Sequence, residues 1–188
     1  FRGPNGSGIA AGGEYPAELD PALQIWQLPL PSGVSSPCIW DDRIFLTAYD
    51  KERGALETLC VDRVSGEIRW RRDQPVETIE KVHRDSSPAS ATPVTDGERV
   101  IVYFGSYGLI CYEMDGQQRW SLPLGMARNR WGMGASPVLA DDLLILAVDQ
   151  GGSGPGANRN VGDAKSFLLA VNPETGDTVW RKERPRVK

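Results

Sequence analysis

The chain has 188 residues, 40% hydrophobic and 24% charged, with 21 Gly and 14 Pro, the composition of a globular protein rich in turns. Its 21 Lys and Arg against 25 Asp and Glu leave a net charge of −4, which argues against nucleic-acid binding driven by net charge. The longest apolar runs, such as 143–148, fall far short of the ~20 residues that a membrane helix needs, so a transmembrane helix is excluded.

The chain opens at Phe1-Arg2-Gly3-Pro4-Asn5-Gly6 without Met and without a charged-then-apolar leader, so any targeting segment is expected to have been removed or never included. A first short unit, 1–32, carries Trp26. Three longer units follow at 33–75, 86–125 and 134–185, all expected to be parts of one domain over 1–188. Each opens on a Ser/Thr-Pro element: Gly33-Val34-Ser35-Ser36-Pro37, Ser90-Ala91-Thr92-Pro93 and Gly134-Ala135-Ser136-Pro137. An acidic turn comes next, as Asp41-Asp42, Asp96-Gly97 or Asp141-Asp142. The apolar runs that follow, 44–47, 100–103 and 143–146, suit strands buried on both faces. A second apolar run at 58–61, 109–112 or 167–171 leads into a polar turn ending in Gly and then Trp. These closing elements are Asp62 to Trp70, Glu113 to Trp120 and Asn172 to Trp180.

Trp26, Trp70, Trp120 and Trp180 are thus spaced by 44, 50 and 60 residues, and no stretch carries a helical apolar period. Each unit reads as four short strands. Such a unit cannot bury both of its faces alone, and a radial array of four-stranded sheets, a β-propeller, is the architecture that stacks them. The fold is therefore expected to be all-β, a propeller of four-stranded blades with about three and a half blades present.

The pattern A-x-D-x-x-T-G-x-x-x-W, best matched at Ala170 to Trp180, resembles the quinoprotein-type or PQQ-like propeller repeat. Essentially the whole chain is covered. The resemblance implies that Trp26, Trp70, Trp120 and Trp180 are structural residues stacked between adjacent blades. The opening Phe1 to Gly6 resembles exported bacterial members, which implies a periplasmic or membrane-anchored location outside the cytoplasm. Rings of this family close with about seven or eight blades, so the chain is expected to be a piece of a longer protein of ~400 residues, or to be completed by a partner.

In an up-and-down blade the tight acidic and Gly turns share one face. The segments 49–56, 71–89, 121–134 and 149–166 are expected as long loops on the other, which is the candidate binding face. Its densest part is Arg128, Arg130 and Trp131, joined by Arg159 and by His83 and Arg84, a set suited to a carboxylate, a sugar or an acidic peptide. Asp85, Glu77, Glu80 and Asp163 are expected to compensate these charges in solvent.

No catalytic residue is assigned. His83 is the sole histidine, no G-x-S-x-G elbow occurs, and Gly151 to Gly156 lacks the Lys-Ser/Thr ending and the helix of a phosphate loop. Trp40-Asp41 has no preceding Gly-His, which disfavours a WD-type propeller. Cys38, Cys60 and Cys111 stand singly in apolar stretches, as buried inert thiols would. The quinone clamp implied by the resemblance has adjacent cysteines and a calcium, whereas this chain has no Cys-Cys pair, and Asp149, Asn160 and Asp163 have no EF-hand spacing. The expected function is a non-catalytic binding or assembly scaffold, similar to the outer-membrane assembly lipoproteins of this family. No cofactor is expected, and the partner is a protein or the remaining blades. The alternative is a fragment of a PQQ-dependent periplasmic oxidoreductase with calcium; a carbohydrate or polymer sensor would rest on Arg128, Arg130 and Trp131 alone.

Overall fold

The computed structural model of the chain describes residues 9, 12, 16–18, 20–129, 131–151 and 165–185. Three repeats of one local pattern give three copies of one sheet. Strands β1 (Cys38–Trp40), β2 (Arg43–Asp50), β3 (Ala55–Asp62) and β4 (Ile68–Pro75) form the first; β5 (Val94–Thr95), β6 (Arg99–Phe104), β7 (Gly108–Glu113) and β8 (Gln118–Pro123) the second. The third holds β9 (Val138–Ala140), β10 (Leu143–Val148), β11 (Phe167–Val171) and β12 (Thr178–Glu183). Each is an antiparallel meander in sequence order, and the described residues include no α-helix and no closed barrel.

The near-continuous apolar runs are explained by burial on both sides. Along β6, Val100, Val102 and Phe104 point into a core shared with Phe45, Leu56, Cys60 and Trp70 of the first sheet. The alternate residues Ile101 and Tyr103 point into a second core with Leu144, Leu146, Phe167 and Leu169 of the third. Period-two alternation splits one strand between two cores, so both sets of residues must be apolar.

The Gly-Trp element is built the same way three times. Asp62 Oδ1 accepts from the backbone N–H of Val64 and Ser65, both at 2.8 Å. Asn172 Oδ1 does so from Glu174 and Thr175, and Asp115 Oδ1 from Gln117 in the shortened copy. These side-chain turns end on Gly66, Gly116 and Gly176, with φ of 76°, 86° and 80°. A β-bulge follows each, between Cys60/Val61, Cys111/Tyr112 and Ala170/Val171. The extra residue, Arg69, Arg119 or Val179, re-aims the strand, and Trp70 and Trp120 thereby face the following unit.

The glycines also receive the preceding tryptophan. A Cβ on Gly66, Gly116 or Gly176 would lie 2.6–2.7 Å from the indole of Trp26, Trp70 or Trp120 respectively. In each case the indole Nε1–H donates to a backbone carbonyl of the same turn, Arg63, Met114 or Pro173, at 3.0 Å. Trp70 is 7% and Trp120 9% exposed, and Trp70 also meets Phe45 and Tyr112 with ring centroids 5.9 and 5.8 Å away. Nearer the innermost strands the Ser/Thr-Pro elements join the sheets. Ser36 N–H donates to Thr92 Oγ1 at 3.2 Å, and Thr92 N–H donates to Ser136 Oγ at 3.0 Å.

Three features differ from the sequence expectation. Segment 49–56 is not a long loop: β2 and β3 pair out to Asp50↔Ala55, leaving a four-residue turn, because Tyr49 and Leu56 both fit the apolar ladder. Residues 24–31 form no strand; only Ser32 bridges to Tyr49, although Trp26 still reaches the first sheet. Trp180 is 39% exposed, because no described sheet lies beyond β12's side of the third sheet.

Gly116→Ala combines a non-glycine residue at positive φ with a clash against Trp70, and is expected to lower the stability of this chain by roughly 2 kcal/mol or more. Trp70→Ala should cost about 3–5 kcal/mol by emptying a buried site, whereas Trp180→Ala should stay within about 1 kcal/mol. Chemical-denaturation midpoints of the three variants check this order.

Candidate functional site

The meander sorts the connections onto two faces. Turns β1–β2, β3–β4 and their repeats share one face. On the other lie the β2–β3 turn (51–54), the β4–β5 connection (76–93), the β6–β7 turn (105–107), the β8–β9 connection (124–137) and the β10–β11 connection (149–166). Of the candidate residues that the sequence assigns to the long connections, Arg130 and Arg159 lie outside the described residues, as do Asn160 and Asp163.

His83 and Trp131, from different connections, are brought together. His83 N–H donates to the Trp131 carbonyl at 3.4 Å, and the two rings lie 5.0 Å apart at 51°. Trp131 remains 55% exposed, its backbone N–H held at 3.0 Å by Asn129 Oδ1. His83 Nδ1 lies 3.3 Å from both the Asp85 N–H and Asp85 Oδ2. Neutral Nδ1 accepts from the backbone; a protonated one donates to the carboxylate. Arg84 extends into solvent and pairs with Asp85 at 3.6 Å. Arg128 is exposed, and its backbone is anchored on both sides. Its N–H donates to Gln150 Oε1 at 2.7 Å and its carbonyl accepts from Gly151 N–H at 2.6 Å. His83, Arg84, Arg128 and Trp131 therefore sit on connections held by ordered backbone contacts.

Glu80 does not compensate these charges in solvent. It is 4% exposed, its Oε2 has no hydrogen-bond partner, and burial alone raises its pKa to about 7. A second buried carboxylate, Glu57, is paired: its Oε1 lies 3.0 Å from Arg53 Nη1 and 3.6 Å from Arg71 Nη1. Arg53 also pairs with Asp73. Burial still leaves the Glu57 pKa above the ordinary carboxylate value. Beside this cluster is a cavity of about 380 Å³ lined by Arg53, Gly54, Ala55, Asp73, Pro75 and Val76. It adjoins at Pro75 and Val76 a second cavity of about 380 Å³ that Ser106, Tyr107 and Met126 help to line. Glu57 was visible in the sequence as a lone charge inside an apolar strand; Glu80, in Ile79-Glu80-Lys81, carried no such signal. Trp40 was also missed. It stacks on Gly97 of the next sheet's acidic turn, the one copy of that turn in which Gly replaces the second Asp.

The thiols are unsuited to chemistry. Cys60 and Cys111 are fully buried, with pKa values pushed up by burial to about 11 and about 12, and the half-buried Cys38 is raised as well.

The sequence profile described as "Outer membrane protein assembly factor BamB" matches the chain twice, over residues 17–154 and 59–187. The chain belongs to this PQQ-like propeller family. Solved structures carry the same fold. BamB from Moraxella catarrhalis is 16% identical with a TM-score of 0.50, over 84% of this chain and 38% of that one. A europium-containing methanol dehydrogenase is 11% identical at a TM-score of 0.58, over 82% and 25%. The quinohemoprotein alcohol dehydrogenase of Comamonas testosteroni is 14% identical at 0.57, over 81% and 21%. The chain thus spans between about a fifth and two fifths of these structures' lengths. A search of curated protein sequences finds no match.

Family membership raises the question of a quinone and a metal. Among the described residues no group of three or more His, Cys, Asp and Glu converges, and the thiols stand singly, two of them buried and Cys38 half-buried. Glu80 is one carboxylate without companions. This donor set does not fit a quinone clamp with calcium. No described helix is long and apolar enough to cross a membrane.

Native protein at pH 8 is expected to leave Cys60 and Cys111 unlabelled by an aromatic disulfide reagent. At most Cys38 should react before unfolding, and all three thiols after it; thiol titration with and without denaturant checks the difference.

Proposed function

We propose that this chain is part of a non-catalytic, exported propeller scaffold that binds other proteins through its long-connection face. The observation that carries the reading is the His83–Trp131 junction, in which a half-exposed indole is presented by two connections fixed to each other. Large, rigid aromatics next to arginines are the residues that anchor protein interfaces. Arg84 and Arg128, exposed on the same two connections, add cationic groups suited to carboxylates. The match to an assembly-factor profile supports the scaffold class, and a periplasmic or membrane-anchored location agrees with it. On this reading Trp26, Trp70 and Trp120 are structural locks between units, Trp180 is available for the same contact, and residues 1–188 form part of one propeller domain with no bound cofactor.

The second reading is a portion of a PQQ- and calcium-dependent oxidoreductase. It is favoured by the likeness to dehydrogenase folds, and it requires that the reacting groups come from residues beyond those described.

A photo-crosslinking residue placed at Trp131 or Arg84 of the full-length protein in its own cells is expected to give discrete protein adducts. The same probe at Val64, exposed on the opposite face, should give none. Equal adducts at both positions, or purified protein carrying stoichiometric quinone, would overturn the scaffold reading.

A further inference from the structure

The β4–β5 and β8–β9 connections are zipped together at successive points. Val82 packs against Gly132, where a Cβ would lie 2.8 Å from Val82 Cγ1. His83 N–H donates to the Trp131 carbonyl, and Ser90 Oγ donates to that of Met133. The β6–β7 turn joins the same assembly, with Ala127 N–H donating to the Gly105 carbonyl at 2.7 Å and Ser106 Oγ accepting from Glu80 N–H at 2.9 Å. The Glu80 side chain occupies the middle of this zipper. Its carboxyl oxygens and Met133 Cγ fill the space that a Cβ on Gly105 would need.

Among the described residues no compensating charge reaches it. The β6–β7 turn and the β8–β9 connection meet it with Gly105, Ser106 and Met133, and Arg128 on the latter is exposed. From β6 it is faced by the Tyr103 phenol, whose own pKa is raised by burial and then by the Glu80 charge. On its own connection Glu77, Lys81, Arg84 and Asp85 are exposed and His83 half-exposed. None of them offsets the desolvation of Glu80.

We propose that Glu80 is a proton-controlled latch: its protonated carboxyl keeps the two long connections zipped over the junction of the second and third sheets, and its ionisation releases them around Trp131. The buried carboxyl is tolerated as a neutral group filling the gap beside Gly105. As a carboxylate with no partner it is stabilised by moving to water, which the connection can do only by leaving Gly105 and Met133. The latch concerns the connections themselves and stands whether or not a protein docks on this face.

The sign follows from the raised pKa. A group at about 7 in the closed state and near 4.5 when exposed favours closure fully at low pH and loses that effect as pH rises through this interval. Hydrogen–deuterium exchange on the full-length protein from pH 4.5 to 8.5 tests it. After correction for intrinsic exchange rates, protection of peptides from 76–93 and 124–137 should fall by up to about tenfold per pH unit until about pH 7, then level off. Strands β6 and β7 should change far less. Glu80→Gln should stay protected and flat across the range, Gly105→Ala should be open already at low pH, and His83→Gln should keep the wild-type dependence on pH whatever its effect on the overall level of protection. A flat wild-type profile, a pH dependence that survives in Glu80→Gln, or one that disappears in His83→Gln would overturn the latch.

Discussion

A four-stranded sheet with two apolar faces is unstable until both are covered, and the structure depends on how the next unit covers each face. The second sheet shows the solution in full: the odd and even residues of β6 enter different cores, one shared with each neighbour. Burial of this kind is worth about 1.5–3 kcal/mol for each large side chain, yet it is non-directional and would permit sheets to slide. Directional contacts set the alignment. An indole over a glycine turn, with its N–H on a carbonyl, fixes the outer ends of adjacent sheets, and Ser/Thr hydroxyls fix the inner ends.

That fixed alignment determines what the loops can do. Because strand ends are held by the sheets, long connections emerge side by side and meet one another: His83 finds Trp131 across 48 positions of sequence through stacking of consecutive units. The face they form mixes exposed cations with carboxylates of opposite character. Glu57 is buried beside two arginines, so its charge is partly compensated. Glu80 is buried beside none among the described residues, and its neutral form is the one the surroundings suit.

The same sheets occur in an outer-membrane assembly factor and in alcohol dehydrogenases. The reason is physical: the contacts that define the fold lie between sheets and in tight turns, leaving the long connections free to change. A fold of this type therefore fixes where a site is built and says little about its chemistry. In this chain the described connections bring together an aromatic, cations and a lone buried carboxylate rather than a convergent set of metal or redox ligands.

The repeat was legible from residues alone because it is enforced locally. An Asp or Asn that caps its own turn, a glycine at positive φ and a tryptophan after a bulge must all occur at set spacing for one unit to form. The doubled apolar runs in turn announce burial on two sides. Less legible were features whose cause lies in another unit. Segment 49–56 looked like a loop because pairing of Tyr49 with Leu56 depends on the register of the whole hairpin. Trp40 became a packing residue only because Gly97 of the next sheet leaves room for it. Glu80 read as an ordinary solvated charge, and only the approach of Gly105 and Met133, 25 and 53 residues later, removed its water. By itself the sequence determined the unit, its strands and its turns, since those are encoded by neighbours along the chain. The tertiary structure alone decided which polar groups lose solvent and which connections meet, because desolvation depends on surfaces that come together only when the sheets stack.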